Sequence, residues 1–299
     1  MKKYTLTDFQ KQYPNDDACL DKLYHLRFDN LICPKCDNTK PFNKVKNRRS
    51  YQCPCCGFQV YPTKGTIFEK TTTPLTTWFY VIFLQTTTRN GVAAKELERM
   101  FGICYKTALR MAHQIKILMA QKEGVKLSGI VEIDETSITM KKSNKPTYGY
   151  GQDTVKNFKK SGKYVAKRSV SIFGFAQRQG LIYIKVVPNI KSETIIPIIK
   201  DKVEQGAHVM TDKNHSYNVL KEEYTHTSVH HTNNQFVKGL THVNTIEGFW
   251  GQLKRTITGT HIKVSERHLQ KYIDECVFRY MYRDKQDIMF DAILSRCAS

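Results

Sequence analysis

The spacing of apolar positions changes close to residue 125. From Pro74 to about residue 124, apolar side chains recur every three to four residues, which predicts helices. The same spacing predicts a lead helix within the first 30 residues. The predicted helical segments are DDACLDKLYHLRF, PLTTWFYVIFLQTTTRN, AAKELERMF and YKTALRMAHQIKILM.

The last two of these segments are joined by the short turn Gly-Ile-Cys, which is typical of a helix-turn-helix motif. In such motifs the early residues of the second helix enter a DNA groove. We therefore expect DNA contacts from Tyr105, Lys106, Thr107 and Arg110. An ordinary helical hairpin is the alternative, and the basic composition and the neighbouring cysteine module favour DNA binding.

Beyond residue 125, apolar and polar positions alternate, which predicts the strands of a sheet. In the first strand, GIVEIDETSI, the alternation places Glu132, Asp134 and Thr136 on one side. A hairpin, a helix that Ser192 caps, a strand that ends at Asp212, a short helix, a strand and a final helix follow. These segments are SVSIFGFAQRQGLIYIKVVPN, KSETIIPIIKDKVEQ, AHVMTD, SYNVLKEEY, TSVHHT and HVNTIEGFWGQLKR. The order β-β-β-α-β-α-β-α predicts an α/β fold.

The final helix has two distinct faces at 100° per residue. Glu247 and Lys254 lie seven residues apart and share one face, together with Asn244. Taken alone, this polar face is the solvated surface of an ordinary helix. A separate apolar stripe, which predicts contact with a core, consists of Ile246, Phe249, Trp250, Leu253 and Ile257.

Four of the nine cysteines have the spacing of a structural zinc site. The pairs CPKC and CPCC are separated by sixteen residues, within the usual range for two such turns that hold one Zn²⁺. The expected ligands are Cys33, Cys36, Cys53 and Cys56. Cys55 could compete as a ligand, but it does not keep the two-residue spacing. We expect the remaining cysteines to be buried small apolar residues: Cys19, Cys104, Cys276 and Cys297.

The charge of the chain indicates a polyanionic partner. It has 47 Lys and Arg against 27 Asp and Glu, a net charge of +20 and a pI near 9.5. The basic segment 141–168 contains nine Lys and Arg and a single acid, so it is either a solvated flap or a loop that holds DNA. The apolar run WFYVIFL is too short to span a bilayer, and the N-terminus has no signal-peptide pattern. These features predict a cytoplasmic protein without a membrane partner.

Three acids fall at positions suited to one site. Asp134 lies in the first strand, Asp212 ends a later strand, and Glu247 lies on the helix that would pack beside both. Because a charge within an apolar strand is unfavourable, we expect Asp134 at an exposed sheet edge or beside a counter-ion. Converging carboxylates repel unless a cation neutralises them, and oxygen ligands suit Mg²⁺ or Mn²⁺. Separately, each acid has an ordinary interpretation as a strand-end cap or turn residue.

Three blocks resemble the catalytic blocks of DDE transposases with an RNase H-like core: VEIDET, MTDKNHSY and HVNTIEGFWGQLKRTITGTH. The most similar group is the ISXO-type transposases of bacterial insertion sequences, which are related to the Merlin elements. The N-terminal CPKC…YQCPCCGFQVYPTKGTIFEKTTTPLTTWF resembles the zinc ribbon of these enzymes, and the resemblance runs from about residue 15 to 285. It implies a mixed five-stranded sheet flanked by helices.

The resemblance also implies a mechanism. Asp134, Asp212 and Glu247 would hold two Mg²⁺ ions, and the enzyme would nick the element's ends before the freed 3′-OH attacks target DNA. Lys254, with Arg255 beside it, would bind a DNA phosphate. Some members have an asparagine as the third catalytic residue, and Asn244 occupies that position; we expect Glu247 as the ligand and Asn244 as a helper. His242 and His261 could assist, but a structural role is the simpler interpretation.

The predicted organisation is a helical lead (1–30), a zinc ribbon (31–70), a helix-turn-helix region (74–124) and the transposase domain (127–299). Its expected partner is double-stranded DNA, both terminal inverted repeats and target, bound by a homodimer or higher homo-oligomer in the bacterial nucleoid. One alternative is a catalytically inert or domesticated DNA-binding protein. Another RNase H-like nuclease is the second, and the zinc ribbon and helix-turn-helix favour the transposase.

Overall fold

Two compact units make up the chain in the computed structural model, which describes residues 4–121, 123–141, 167–212, 217, 223–229 and 242–298. The first unit combines Met1–Met119 with Tyr282–Ser299, and the second is Ala120–Met281. The C-terminal segment therefore groups with the first unit, whereas the sequence analysis assigned it to the transposase domain. The other domain boundaries stay predictions.

The first unit begins with two helices and a small sheet. Its elements in chain order are α1 (Leu6–Gln12), α2 (Asp16–Phe28), β1 (Asn43–Lys44), β2 (Tyr51–Gln52), β3 (Gln59–Val60), α3 (Leu75–Thr87), α4 (Ala94–Phe101) and α5 (Tyr105–Leu118). The three strands pair antiparallel in the order β1-β2-β3. Helix α2 coincides with the predicted lead helix, and α4 and α5 confirm the two predicted helices around the Gly-Ile-Cys turn. Gly102 in that turn has a left-handed φ of 61°, which glycine adopts without strain.

Local capping explains a short helix that the apolar spacing did not predict. Helix α1 is only seven residues long, and it starts with a capping box. The Thr5 hydroxyl accepts from the backbone N–H of Asp8 at 3.2 Å, and the Asp8 carboxylate accepts from the Thr5 N–H at 3.1 Å. Cys104, predicted to be buried, is exposed because it is the N-terminal cap position of α5.

The second unit is built on one mixed sheet with helices on both faces. Its elements in chain order are β4 (Ile130–Lys141), β5 (Lys167–Gln177), β6 (Ile182–Val187), α6 (Ser192–Lys202), β7 (His208–Asp212), β8 (Thr225–Val229), α7 (Asn244–Thr256), a π-helical turn (Ile257–His261) and α8 (Glu266–Met281). The strand order is β6-β5-β4-β7-β8. Strand β4 pairs antiparallel with β5 and parallel with β7. The predicted mixed five-stranded sheet flanked by helices is confirmed.

Each face of this sheet has its own core. On one face, Ile172 and Ile184 of the sheet pack with Ile246, Phe249 and Leu253 of α7. The opposite face packs on α6, and its core is formed chiefly by Val131, Ile133, Phe173, Phe175 and Ile199. The apolar stripe predicted for α7 is therefore the surface that joins this helix to the sheet. Ser192 does not cap α6, since the cap position is Lys191 and Ser192 is the first helical residue.

The outer edge of β6 is covered by two glutamine side chains. The Ile184 N–H donates to Oε1 of Gln121 at 2.9 Å, and the Ile184 carbonyl accepts from Nε2 of Gln121 at 2.8 Å. Oε1 of Gln270 accepts from the Val186 N–H at 2.9 Å. Side-chain amides thus replace a neighbouring strand along this edge.

The chain ends with a 3₁₀ turn (Gln286–Ile288) and α9 (Met289–Ala298) in the first unit. Phe290 of α9 belongs to an aromatic core with Phe9, Tyr13 and Phe79. Among the described residues, none of the helices has the length and apolar content needed to cross a bilayer.

Several sequence expectations lie outside the described residues. The basic segment is undescribed from 142 to 166, and the predicted helix SYNVLKEEY is undescribed over most of its length. The predicted strand TSVHHT overlaps β8 at Thr227–Val229, and its last three residues lie outside the described residues.

Candidate active site and metal centre

Two matched turns of the first unit present its cysteines. In the first turn the N–H of Asp37 donates to the carbonyl of Cys33 at 2.9 Å. In the second turn the N–H of Gly57 donates to the carbonyl of Cys53 at 3.0 Å. Asp37 and Gly57 both have positive φ, which turns the chain sharply after each cysteine pair. The repeated Cys-Pro-x-Cys sequence therefore produces two copies of one backbone turn.

The two turns bring the sulfur atoms of Cys33, Cys36, Cys53 and Cys56 within 4.8 Å of one another. The Sγ atoms of Cys33 and Cys56 are 3.5 Å apart, and those of Cys36 and Cys53 are 3.6 Å apart. A tetrahedral Zn²⁺ with Zn–S bonds of about 2.3 Å separates its thiolates by about 3.8 Å. The cluster could therefore hold a metal ion such as zinc, and it fits a zinc ribbon.

The thiols of this cluster shift one another's ionisation in opposite directions. Although the Asn38 backbone N–H lowers it, the neighbouring thiols raise the pKa of Cys36 to about 12, and the pKa of Cys56 is also raised. Burial opposes ionisation of Cys53, yet the backbone N–H groups of Cys56 and Cys55 and the neighbouring thiols lower its pKa to about 6. Cys55 itself is exposed and is not part of the cluster. In this structure Cys55 therefore does not replace any of the four clustered thiols.

In the second unit, Asp134 and Asp212 occupy neighbouring positions on two parallel strands. Strands β4 and β7 pair Ile133 with Thr211, so the next residue on each strand is one of these acids. Neighbouring strands lie about 4.8 Å apart. Met210, two residues before Asp212, packs in the core beneath α7, and alternation places Asp212 on that same face. Both acids thus lie on the face that α7 covers.

The environment of Asp134 differs from the one expected. Strand β4 is the central strand of the sheet, so the expectation of an exposed sheet edge was wrong. Its contact is a neutral donor: Nε1 of Trp250 donates to Oδ2 of Asp134 at 2.9 Å. Burial raises the pKa of Asp134 to about 6, and the negative charges of Glu135 and Asp212 add to the rise, while the Trp250 N–H and a backbone N–H oppose it.

A glycine makes room for the indole that contacts Asp134. Gly174 on β5 lies opposite Asp134 in the strand register. A Cβ atom at Gly174 would lie 2.6 Å from the Trp250 ring and 2.6 Å from Cδ1 of Ile184. The close approach of Trp250 to the strand therefore requires glycine at this position.

Glu132, on the same face two residues before Asp134, is fully buried and holds the start of α7. Its Oε2 accepts from the N–H of Thr245 at 2.8 Å and from the N–H of Ile246 at 3.2 Å. Its Oε1 accepts from the Thr245 hydroxyl at 2.9 Å and from Nε of Arg178 at 2.9 Å. Nδ1 of His242 lies 3.3 Å from the same oxygen. These contacts satisfy the helix terminus with a carboxylate, the charge that a helix start favours.

The sequence analysis missed Glu132 and Arg178 as residues of this region. Alternation put Glu132 beside Asp134, but nothing in the sequence shows which backbone groups a buried carboxylate will meet. Arg178 follows β5 in the sequence, and its Nη2 also donates to the carbonyl of His242 at 2.9 Å. That contact joins residues 64 positions apart, so only the fold could reveal it.

Glu247 lies in the first turn of α7, one helical turn before Trp250, and it is exposed, as are Asn244, Lys254 and Arg255. Within the described part of the chain, the four cysteines are the one group of three or more potential ligands whose atoms all lie within 4.8 Å. Asp134, Asp212 and Glu247 are therefore not a group of this kind, although the strand register makes Asp134 and Asp212 neighbours.

His261 takes a structural position. Its ring packs edge-on against Tyr272 with centroids 4.6 Å apart, and Nε2 lies 3.7 Å from a carboxylate oxygen of Glu275.

The predicted DNA contacts lie at the start of α5. Tyr105, Lys106 and Arg110 are exposed, and the Arg110 guanidinium lies 5.4 Å from the centre of the Trp78 ring. Thr107 is half-buried, and its hydroxyl lies 3.2 Å from Sγ of Cys104. Three of the four side chains are thus accessible to a partner, while Thr107 contacts its own helix cap.

Comparison with known proteins decides the family. Residues 126–281 match the model of the ISXO2-like transposase domain, a stretch that covers the whole sheet with α6, α7 and α8. The chain belongs to the ISXO2-like transposase family. This confirms the resemblance seen in the three sequence blocks. Transposases act on DNA and cleave it, so family membership gives the general function.

Two curated relatives agree with this family. An uncharacterized transposase-like protein of Haemophilus influenzae is 34% identical over 100 residues, which are 33% of this chain and 80% of that protein. An uncharacterized protein in transposable element ISH50 of Halobacterium salinarum is 25% identical over 274 residues, 88% of this chain and 90% of that protein. Among solved structures, a pre-cleavage Mos1 transpososome is similar with a TM-score of 0.30 and 10% identity, over 69% of this chain and 73% of that one.

Proposed function

We propose that this ISXO2-like family member is an active transposase that cuts DNA at the ends of its element and joins them to target DNA. Asp134, Asp212 and Glu247 are the proposed catalytic carboxylates. The observation that carries the proposal is the side-by-side placement of Asp134 and Asp212 on the sheet face that α7 covers. Two acids so placed repel each other, which is unfavourable for folding unless a cation binds between them.

The donor chemistry of this pair fits Mg²⁺ or Mn²⁺. Carboxylate oxygens are the preferred ligands of both ions. Two ions bound there would supply activation of an attacking oxygen and stabilisation of the leaving oxygen at a phosphodiester. The protein's own part is to orient the carboxylates, since burial of Asp134 opposes its ionisation. Above about pH 6 Asp134 is anionic, and the Trp250 N–H fixes one of its oxygens.

Glu247 is the proposed third carboxylate. It lies on the turn of α7 between the Glu132 and Trp250 contacts, and its exposure leaves its carboxylate free to rotate toward the acid pair. Asn244 is one turn earlier on the same helix and is the proposed helper. The amide is a neutral ligand, so it binds a divalent cation less strongly than a carboxylate does.

The proposed DNA path uses charge and exposed helix surface. Lys254 and Arg255, at the end of α7, are exposed and suited to phosphate oxygens. Lys106 and Arg110 on α5 are the proposed contacts of the helix-turn-helix region. One Zn²⁺ in the cysteine cluster would hold the small ribbon folded, because a three-stranded sheet this short has little core of its own. Handling two DNA ends and a target calls for at least a homodimer.

The proposed reaction has two stages: the first hydrolyses a phosphodiester bond, and the second leaves the number of phosphodiester bonds unchanged. In the first stage, water attacks phosphorus at the element's end and the 3′ oxygen leaves with a proton as a 3′-hydroxyl. In the second stage, that hydroxyl attacks a phosphodiester of target DNA, so one bond forms as another breaks. No external energy source is needed for either stage.

A nicking assay tests the proposal with plasmid DNA that carries the sequences flanking the gene. Asp134→Asn, Asp212→Asn and Glu247→Gln should each reduce Mg²⁺-dependent nicking by about 10³-fold, the loss of several kcal/mol of transition-state stabilisation. Asn244→Ala should reduce it by only about 10-fold to 100-fold. DNA binding should persist in all four variants. Nicking by Asp134→Asn or Asp212→Asn at the normal rate contradicts the assignment. If Asn244→Ala reduces nicking more than Glu247→Gln does, Asn244 and not Glu247 is the third ligand.

The same assay distinguishes an active transposase from an inert DNA-binding protein. In that case the unaltered protein binds the flanking DNA but nicks it no faster than the Asp134→Asn variant does.

A further inference from the structure

We propose that Glu132 is a positioning residue of the active site. Its buried carboxylate sets the location of the first turn of α7, and with it Glu247, against the strand that carries Asp134. The inference rests on the proposed function, because it presumes that Glu247 acts beside Asp134 and Asp212.

The contacts of Glu132 exclude it as a metal ligand. Both oxygens are engaged: Oε2 by the backbone N–H groups of Thr245 and Ile246, and Oε1 by the Thr245 hydroxyl and Arg178. The side chain is fully shielded from solvent, with an exposed fraction of 0%. A carboxylate has about four lone-pair positions, and four donors occupy them here. Glu132 therefore acts on the site through the helix and not through a cation.

Two hydrogen-bonded contacts join β4 to α7, and the distance between them is similar along the strand and along the helix. Glu132 and Asp134 are two residues apart, which in a strand is about 6.6 Å. Their helix partners, Thr245 or Ile246 and then Trp250, are four to five residues apart, which in a helix is about 6 to 7.5 Å. The helix consequently runs alongside the strand with both contacts satisfied at once.

Glu247 lies between these two contacts. It follows Ile246 directly, and it precedes Trp250 by three residues. A slide or rotation of α7 that moved Glu247 would break the contacts at Glu132, at Trp250 or at both. The apolar stripe alone does not give this precision, since apolar packing has no direction.

The charge of Glu132 is matched within the same cluster. Arg178 donates from Nε to Oε1 at 2.9 Å, and its side chain is only 16% exposed. A buried ion pair contributes little to stability compared with a well-packed apolar pair, so its use here favours a role in fixing geometry.

Mn²⁺ binding to the full chain tests the inference without relying on activity. Electron paramagnetic resonance measures free Mn²⁺ during a titration, and the zinc of the ribbon is left in place. Glu132→Gln keeps the size of the side chain but turns one acceptor into a donor that faces helix N–H groups. We expect its Mn²⁺ dissociation constant to rise by about 10-fold to 100-fold, the usual effect of losing an outer-shell contact.

Asp274→Asn is the matched control. Asp274 is another buried carboxyl group of the same unit, and Oδ1 accepts from Gln121 at 2.9 Å and from Gln270 at 2.9 Å. This variant removes a buried charge on α8 and should leave Mn²⁺ affinity unchanged. Comparing the two variants at a temperature where both are folded separates positioning from loss of stability.

The outcomes separate the inference from the proposed function. If the unaltered protein and Asp134→Asn bind Mn²⁺ equally, the metal site itself is wrong. If Asp134→Asn weakens binding and Glu132→Gln does not, the positioning role alone is overturned. Should Glu132→Gln fail to fold, Thr245→Val replaces it, because it removes one donor to Glu132 and keeps the side-chain shape. An unchanged Mn²⁺ dissociation constant in Thr245→Val then overturns the inference.

Discussion

Gly174 on β5 and Trp250 on α7 are in direct contact: the indole ring fills the space that a side chain at Gly174 would need. The same indole donates to Asp134, so the absence of a side chain on β5 determines how a carboxylate on β4 is held. The arrangement links packing on one strand to the orientation of an acid on the next.

Gly174→Ala should therefore destabilise the protein and disturb the acid pair. The new Cβ atom would lie 2.6 Å from both Trp250 and Ile184, and overpacking of this kind costs about 1 to 3 kcal/mol. Urea denaturation followed by tryptophan fluorescence measures the loss. Gly248→Ala on α7 is the control, because an added Cβ there meets nothing within 4 Å and should leave stability equal or slightly higher. Equal stability of both variants would contradict the contact.

The raised pKa of Asp134 predicts a pH-dependent stability in buffer without Mg²⁺ or Mn²⁺. The folded-state pKa of about 6 lies above the ordinary value of 3.8, so the folded protein binds more protons between these values. Stability should consequently fall as pH rises from about 4 to 6, and the penalty should persist at higher pH. Asp134→Asn removes the charge, and at pH 7.5 it should be more stable by about 1 to 3 kcal/mol. Thermal unfolding at pH 5 and 7.5 measures both effects; a variant less stable at pH 7.5 would rule out this explanation.

Cys55 and Cys56 are neighbours with opposite predicted roles. Cys56→Ser should lower the zinc content of the purified protein and unfold the ribbon, because it removes one of four thiolates. Cys55→Ser should keep one zinc per chain, since Cys55 is exposed and outside the cluster. Metal analysis of the two proteins, with the cobalt-substituted absorption spectrum as a second measurement, gives the answer. If Cys55→Ser loses zinc and Cys56→Ser does not, Cys55 and not Cys56 is the fourth zinc ligand.

Replacing Lys106 should weaken DNA binding alone, whereas replacing Arg110 should also lower the stability of the protein. Lys106→Ala should weaken DNA binding and reduce the slope of log affinity against log salt by about 1, the effect of one lost phosphate contact. Arg110→Ala should also lower stability slightly, because its guanidinium packs over Trp78. Fluorescence anisotropy at several salt concentrations measures the slope. Lys11→Ala is the charge-matched control, because Lys11 is an exposed lysine on α1. If Lys11→Ala reduces the salt slope as much as Lys106→Ala does, the prediction that α5 contacts DNA is wrong.

Regular periodicity made most of the fold predictable. Helices α2, α4 and α5 and the strands around Asp134 and Asp212 follow from apolar spacing over enough residues to average out local exceptions. Helix α1 was missed because one capping box, and not periodicity, defines it. The sequence analysis predicted neither α8 nor α9, so it gave no basis for the grouping of Tyr282–Ser299 with the first unit.

The site was predictable as residue types and not as geometry. The motif blocks singled out Asp134 and Asp212 as candidates, and the parallel register makes them neighbours. The roles of Glu132 and Trp250 arise from contacts across more than 100 residues, which one sequence does not encode in any local pattern. The contact of Asp134 with an indole N–H, a neutral donor, was likewise not predictable from the sequence, and the expected counter-ion of Asp134 stays a prediction.

The glutamine pair along β6 has a consequence for assembly. An unprotected outer strand is a template on which a second chain can extend a sheet. With Gln121 and Gln270 hydrogen-bonded to that border, a copy of this protein would first have to break those amide bonds. Joining of protomers through a continuous intermolecular sheet at this edge is thereby disfavoured, so the proposed homo-oligomer would use other surfaces.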